Sequence, residues 1–248
     1  MNTFLILAFL FFVGSVGGWI LELLFRNMNR KKEHWINPGF CTGPYVPLYG
    51  FGLCIMYLIA SLEPLYLVEH PFWNKAVLFL LMACCMTAIE YLAGILCLKH
   101  LNLRLWDYSS CWGNIKGIIC PKFSCIWAAM GAVYYFCVHP HVLDALDWLS
   151  RNLAFSFFIG LFFGVFLIDA AHSAQLVNRL RKFAEENDVV VRYEALKFHI
   201  YHSQRALTVK YNFFRPFKSE RPLTEHLREL YHGNERVERL KKHKNIHR

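Results

Sequence analysis

The sequence predicts an all-α integral membrane protein: five transmembrane helices, N-terminus outside and C-terminus inside, followed by a basic, mostly helical cytoplasmic tail. Three observations predict it. Of the 248 residues, 56% are hydrophobic, 22 are Phe, and mean hydropathy is positive, which places the chain among polytopic membrane proteins. Five apolar runs approach or exceed the length needed to cross about 30 Å of hydrocarbon at about 1.5 Å per residue. The basic residues, finally, alternate from one connection to the next.

The first run is Thr3 to Phe25. No basic residue precedes it and Arg26, Arg30, Lys31 and Lys32 follow it, the reverse of a cleavable signal peptide, so it reads as an uncleaved anchor. Gly14 and Gly18 form a GxxxG, with Gly17 beside them, which suits close approach of a neighbouring helix. The other runs span about 45–62, 76–98, 118–138 and 153–171. Loops 26–43 and 99–122 each carry four Lys or Arg, whereas loop 63–75 has only Lys75 and loop 139–152 only Arg151. Basic loops stay in the cytoplasm, and every connection supports the same orientation. Residues 1–172 hold 10 Lys+Arg against 9 Asp+Glu, and residues 173–248 hold 17 against 9. Nearly all of the net +9 therefore sits in the tail, which divides the chain into a membrane domain (1–172) and a tail (173–248).

In the tail, Leu176, Leu180 and Phe183 at helical spacing, with Arg179, Arg181 and Lys182 between them, suggest an amphipathic helix leaving the membrane. A second helical stretch covers about 193–208, and Pro216 and Pro222 break the helical pattern after it. A last helix from about Thr224 ends in the basic run Lys241, Lys242, His243, Lys244. Such charge on a membrane protein fits contact with anionic lipid, so the expected partner is the bilayer and not nucleic acid.

The most unusual stretch is Asn37 to Gly52, NPGFCTGPYVPLYGFG. Gly costs about 1 kcal/mol in a helix interior and Pro about 3, yet the stretch runs straight into an apolar segment. Irregular backbone at membrane depth is tolerated only where protein or a wet cavity surrounds it. Gly39, Gly43, Pro44, Pro47, Gly50 and Gly52 thus point to a re-entrant or broken start of the second helix; a surface loop before an ordinary helix is the plainer alternative. Three acidic residues fall in the same half of the membrane: Glu22, Glu90 and Asp169. Glu90 lies about 12 Å along its helix from the cytoplasmic end, where a charge costs about 2.5–3.5 kcal/mol on insertion scales. A partner, a proton or water must offset that. Each acid either pairs locally, with Arg26 or Arg104 as candidates, or joins a cytoplasm-facing pocket.

After the third run come Trp106, Asp107 and Tyr108, then Asn114 and Gly117. Trp106 and Tyr108 fit an interfacial belt, while Asp107 either orients Arg104 or joins the pocket. The candidate pocket is accordingly Glu22, Glu90, Asp107, Tyr49 and Asn114. Neither metal nor cofactor is expected: there is no C-x-x-C, and His139-Pro140-His141 has no further ligands at metal spacing. Cys84, Cys85, Cys97, Cys125 and Cys137 read as small buried hydrophobes. The sequence contains neither a Walker A motif nor a G-x-S-x-G nucleophile elbow.

Taken together, GWILELLFR (18–26), NPGFCTGPYVPLYGFG (37–52), IEYLAG (89–94), LWDYS (105–109) and NIKGIICPKFSCIW (114–127) resemble the bacterial family named Putative ABC-transporter type IV, or CmpB-like. The resemblance covers about residues 1–170, in the family's block order, and leaves the tail outside. It implies a protein of the bacterial cytoplasmic membrane and carries Glu22, Tyr49, Glu90, Trp106, Asp107, Tyr108, Asn114 and Gly117 over as motif positions. Cys41 stands where a larger apolar residue is expected. The function read from all this is a permease-type transporter subunit, working with a separate ATPase or as a homo-oligomer. An integral-membrane enzyme acting on a lipid-linked head group, with a carboxylate as base, and a non-catalytic scaffold remain open alternatives.

Overall fold

Among the described residues, five helical segments are long and apolar enough to cross a membrane. The computed structural model describes residues 2–29, 36–65, 70–206 and 212–231; Arg30, Lys31 and Lys32, and the terminal basic run at 241–244, lie outside the described residues. The helices are α1 (Thr3–Asn29), α2 (Pro47–Ala60), α3 (Pro71–Leu101), α4 (Pro121–Val133), α5 (His139–Arg151) and α6 (Ser156–Glu186). Three of them begin on proline, whose missing N–H is no loss in a first helical turn.

Two boundaries differ from the sequence expectation. The fourth span does not stop near Val138. It passes through a π-helical turn, Tyr134–Val138, and continues as α5. Pro140 has no N–H and would crowd an α-helical turn; in the wider turn the His139 N–H reaches back five residues to the Tyr134 carbonyl, and the helix carries on. Val142, Leu146 and Leu149 form the buried stripe of α5, which the intervening acids disguise as loop sequence. The fifth span likewise does not end near Ala171, because α6 runs unbroken across position 172/173 to Glu186.

The core of the bundle runs along α3, where Leu78, Met82 and Met86 are buried at four-residue spacing in a cluster shared with α2 and α4. Gly14 and Gly18 face α2, while Gly17 has nothing near it. A Cβ on Gly50 would collide with Ser15 Oγ and stand 2.8 Å from the Phe11 carbonyl oxygen, so α1 and α2 touch backbone to backbone. The expectation for cysteine needs correcting. Cys84, Cys125 and Cys137 are exposed on the outside of the bundle, and Cys85 and Cys97 are half-buried. Hydropathy cannot separate the two situations, since lipid tails are as apolar as a core.

Beyond α6 the chain folds back. Strand β1 (Leu103–Arg104) pairs in parallel with β2 (Val191–Arg192), and α7 (Tyr193–Ala206) follows directly. A second core joins Leu103, Leu180, Phe183, Leu196, Ile200 and Leu227, the last from the helical residues 223–231.

A pair of substitutions tests the α1–α2 seam. Gly50→Ala overpacks it and costs about 1–3 kcal/mol, visible as a lowered melting temperature in detergent. Ser15→Ala removes a buried hydroxyl that has no hydrogen-bond partner among the described residues, and its melting temperature should hold or rise. Equal melting temperatures for Gly50→Ala and wild type would show a looser seam than this.

Candidate functional site

Residues 36–46 contain no helix or strand, yet Ile36, Asn37, Pro38, Cys41 and Tyr45 are buried. Their peptide groups need partners. At the end of the segment the Val46 N–H donates to the Ser15 carbonyl at 2.9 Å, so α2 starts beside the middle of α1. The Thr42 and Gly43 N–H groups donate to Asp169 at 3.2 and 2.8 Å, and the Tyr45 hydroxyl donates to it at 2.6 Å. Asp169 is thus a receptor for loop backbone and is separate from the other acids. Asn37 receives the Trp19 indole N–H at 2.7 Å and donates to the Thr42 carbonyl at 2.8 Å.

Three carbonyls of the segment are taken by the tail. Lys197 on α7 is 1% exposed; its ammonium donates to Asn37 O (3.1 Å), Gly39 O (2.7 Å) and Glu194 Oε1 (3.3 Å) and lies 4.6 Å from the centre of the Tyr193 ring. The Tyr193 hydroxyl donates to Phe40 O at 3.2 Å. Glu194 also accepts from Arg26 at 2.9 Å. Burial pushes the Glu194 carboxyl up, but Lys197 and Arg26 outweigh it and hold it at about 2. Burial lowers Lys197, with Glu194 opposing; with three acceptors around it, the ammonium is the form that fits. Neither residue stood out in the sequence. Lys197 does occupy the stripe of Tyr193, Leu196 and Ile200, and a lysine in an apolar stripe was the available signal.

Next to this anchor lie the carboxylates. Glu22 accepts from Arg26 Nε at 2.8 Å and from the Tyr49 hydroxyl at 2.9 Å. Glu90, 3% exposed, accepts from the Tyr108 hydroxyl at 3.0 Å and the Trp127 indole N–H at 2.9 Å. The Tyr49 and Trp127 rings are 5.7 Å apart, so α1, α2, α3 and α4 bring Glu22, Tyr49, Glu90, Tyr108 and Trp127 into one neighbourhood. Trp127 was missed, because a tryptophan in an apolar run reads as ordinary core.

Other candidates fall elsewhere. Asp107 pairs with Arg104 at 2.8 Å and accepts from the Ser109 N–H. Partial burial pushes its carboxyl up, yet Ser109 and Arg104 hold it below the usual Asp value. Gly117, at φ +67°, lets Arg104 and Asp107 pass against bare backbone, and Asn114 closes the same loop by accepting from the Gly117 N–H at 2.9 Å. Asp107 and Asn114 therefore build the α3–α4 loop and make no hydrogen bond with Glu22 or Glu90 among the described residues. Trp106 and Tyr108 are half-buried, with their polar groups bonded inside the protein. Trp106 donates to Ile118 O at 2.8 Å, and Tyr108 stacks on Phe123 with centroids 4.2 Å apart. Pro44 is exposed, Pro47 opens α2, and Gly52 packs on Met86. Metal-ligand residue types come together at His199, His226 and Glu229. Arg221 lies 3.0 Å from Glu229, so that carboxylate already has its cation.

Fold and site define a five-span helical membrane protein with a buried acidic neighbourhood at the end of the bundle where the tail docks. The family model described as Putative ABC-transporter type IV matches residues 9–174, two thirds of the chain, and the protein belongs to that family. No curated protein and no solved structure matches it. The matched residues end within α6, so Glu194 and Lys197 lie outside them.

Lys197→Met should strand the Asn37 and Gly39 carbonyls at about 1–3 kcal/mol each. Limited proteolysis between α6 and α7 should then accelerate at least several-fold, while exposed Lys182→Met cleaves like wild type. Equal cleavage of both would refute the anchor. The pH dependence has a definite sign. A depressed carboxyl stabilises above its unfolded value of about 4.3 and loses that contribution only as pH falls through about 2. Buried His226, held below the usual histidine value mainly by its burial, destabilises the tail as pH falls below about 6.5, so Glu194 is isolated by comparison with Glu194→Gln. The protection that Glu194 adds should stay constant from pH 7 to 5; a difference that vanishes near pH 6 would contradict the assignment.

Proposed function

We propose that the protein is the membrane-embedded, permease-type subunit of a bacterial transport system, set in the cytoplasmic membrane with its tail inside. In this reading Glu22 and Glu90 border a cytoplasm-facing pocket that accepts a cation or the cationic group of a substrate. One observation carries it. Around the site three carboxylates, Glu22, Glu90 and Glu194, meet two cations, Arg26 and Lys197, and both cations are committed to Glu194 or Glu22. Glu90 has only neutral donors, and no Lys or Arg nitrogen lies within 4 Å of it among the described residues. A buried carboxylate so placed has lone pairs left for an arriving proton or cation.

The family name supports transport. The chain has no Walker A motif, so a separate ATPase would supply energy. Its contact surface would be the α3–α4 loop, whose Trp112 is 87% exposed. Five spans are few for a complete path, so a second copy or another membrane subunit completes it. An enzyme acting on lipid-linked head groups, with a carboxylate as general base, is less well supported, because the family name points to transport. Tail deletion would not identify a scaffold. It would cut α6 and remove Lys197 from loop 36–46, harming any of the three functions.

Labelling with a water-soluble carbodiimide tests the pocket. Exposed acids such as Asp144 and Glu185 take label from their own side, so the readout is modification at residue 90 itself, mapped by peptide mass. It should occur from the cytoplasmic face only and be absent in Glu90→Gln at the wild-type melting temperature. No modification of Glu90 from the cytoplasmic face, or modification from the outer face, would overturn the proposal.

A further inference from the structure

A groove of about 650 Å³ lies between α6 and the tail, away from Glu22 and Glu90. Its α6 wall carries Val165, Ile168, His172 and Leu176 on one helix face, and Val165 and Ile168 are 53% and 64% exposed. That apolar face continues towards Phe157, Phe158 and Leu161, all exposed. The opposite wall is the tail segment 215–218. It is held in place by Phe217, whose ring lies 5.1 Å from that of Tyr193, and by Gln204, which donates to the Lys218 carbonyl at 2.6 Å. Arg215 and Lys218 line the groove and make no ion pair with the described residues. Asp169 also lines it, but its oxygens are already engaged by Thr42, Gly43 and Tyr45.

We propose that this groove holds an anionic phospholipid of the cytoplasmic leaflet, its phosphate between Arg215 and Lys218 and its acyl chains along Val165 and Ile168. Two cations with no carboxylate partner among the described residues, at the end of an apolar wall, match a ligand with a charged head and a hydrocarbon body. The apolar wall lies within the fifth span and the cations come from the chain beyond it, the order a head group and its chains require. A lipid seated there would clamp segment 215–218 to α6 beside Asp169, on the far side of the loop that Lys197 anchors. Only the choice of leaflet rests on the orientation proposed above.

Native mass spectrometry of the purified full-length protein tests this. Retention of phosphatidylglycerol should exceed that of phosphatidylcholine by about tenfold at low salt and converge as salt rises. Arg215→Gln/Lys218→Gln should abolish the preference at an unchanged melting temperature, whereas Arg181→Gln/Lys182→Gln, on exposed α6 positions outside the groove, should keep it. Equal retention of the two lipids, or an undiminished preference in the Arg215/Lys218 variant, would overturn the proposal. So would displacement by millimolar glycerol 3-phosphate, which would mark a soluble-phosphate site, or a lipid-free dimer, which would give the α6 face to a second copy. Glu90→Gln should leave lipid retention intact, so failure of the pocket and failure of the groove are read separately.

Discussion

Residues 36–46 bring peptide groups into the bundle without a helix or strand to pair them, and much of the architecture answers that one requirement. In a membrane the unmade bonds would cost several kcal/mol each. Asp169 on α6 accepts from two consecutive N–H groups, Lys197 on α7 donates to two carbonyls, the Ser15 carbonyl accepts the last N–H before α2, and Trp19 donates to Asn37. The segment is held from three sides by groups on α1, α6 and α7. Its rigidity then sets the start of α2, and with it the position of Tyr49 beside Glu22.

The tail is part of this solution. Lys197 brings a charge to a buried position, and such a charge is costly unless hydrogen bonds and an ion pair satisfy it. Here Glu194 supplies the countercharge and Arg26 the next link, so α1, loop 36–46 and α7 share one network. The short parallel pairing of β1 with β2 fixes where α7 begins. A family match confined to residues 9–174 therefore leaves out two side chains on which the matched residues rely.

Length and hydropathy made the five spans legible, since crossing lipid needs a long apolar run whatever it packs against. Glu90 was legible for a related reason, because a carboxylate in such a run demands a partner. The partners themselves were not. Trp127 and Tyr108 become donors only once α3, α4 and their loop are assembled, and aromatic residues in an apolar chain carry no mark of that role. Asp107 and Asn114 looked like pocket residues because polar groups beside tryptophan stand out, yet they satisfy the turn around Gly117. Positive charge misled in the tail: among the described residues most of its Lys and Arg are exposed, and Lys197 could be told apart only by its place in the apolar stripe of α7.

Amide hydrogen exchange of residues 36–46 tests the central claim most directly. If Asp169 receives the loop backbone, the Thr42 and Gly43 amides exchange slowly in wild type. In Asp169→Leu, which removes both acceptor oxygens, they exchange at least about tenfold faster, as expected for a hydrogen bond worth about 1.5 kcal/mol or more, while the Val46 amide, bonded to Ser15, stays protected. Equal exchange of Thr42 and Gly43 in the two proteins would mean that something other than Asp169 holds the segment in the bundle.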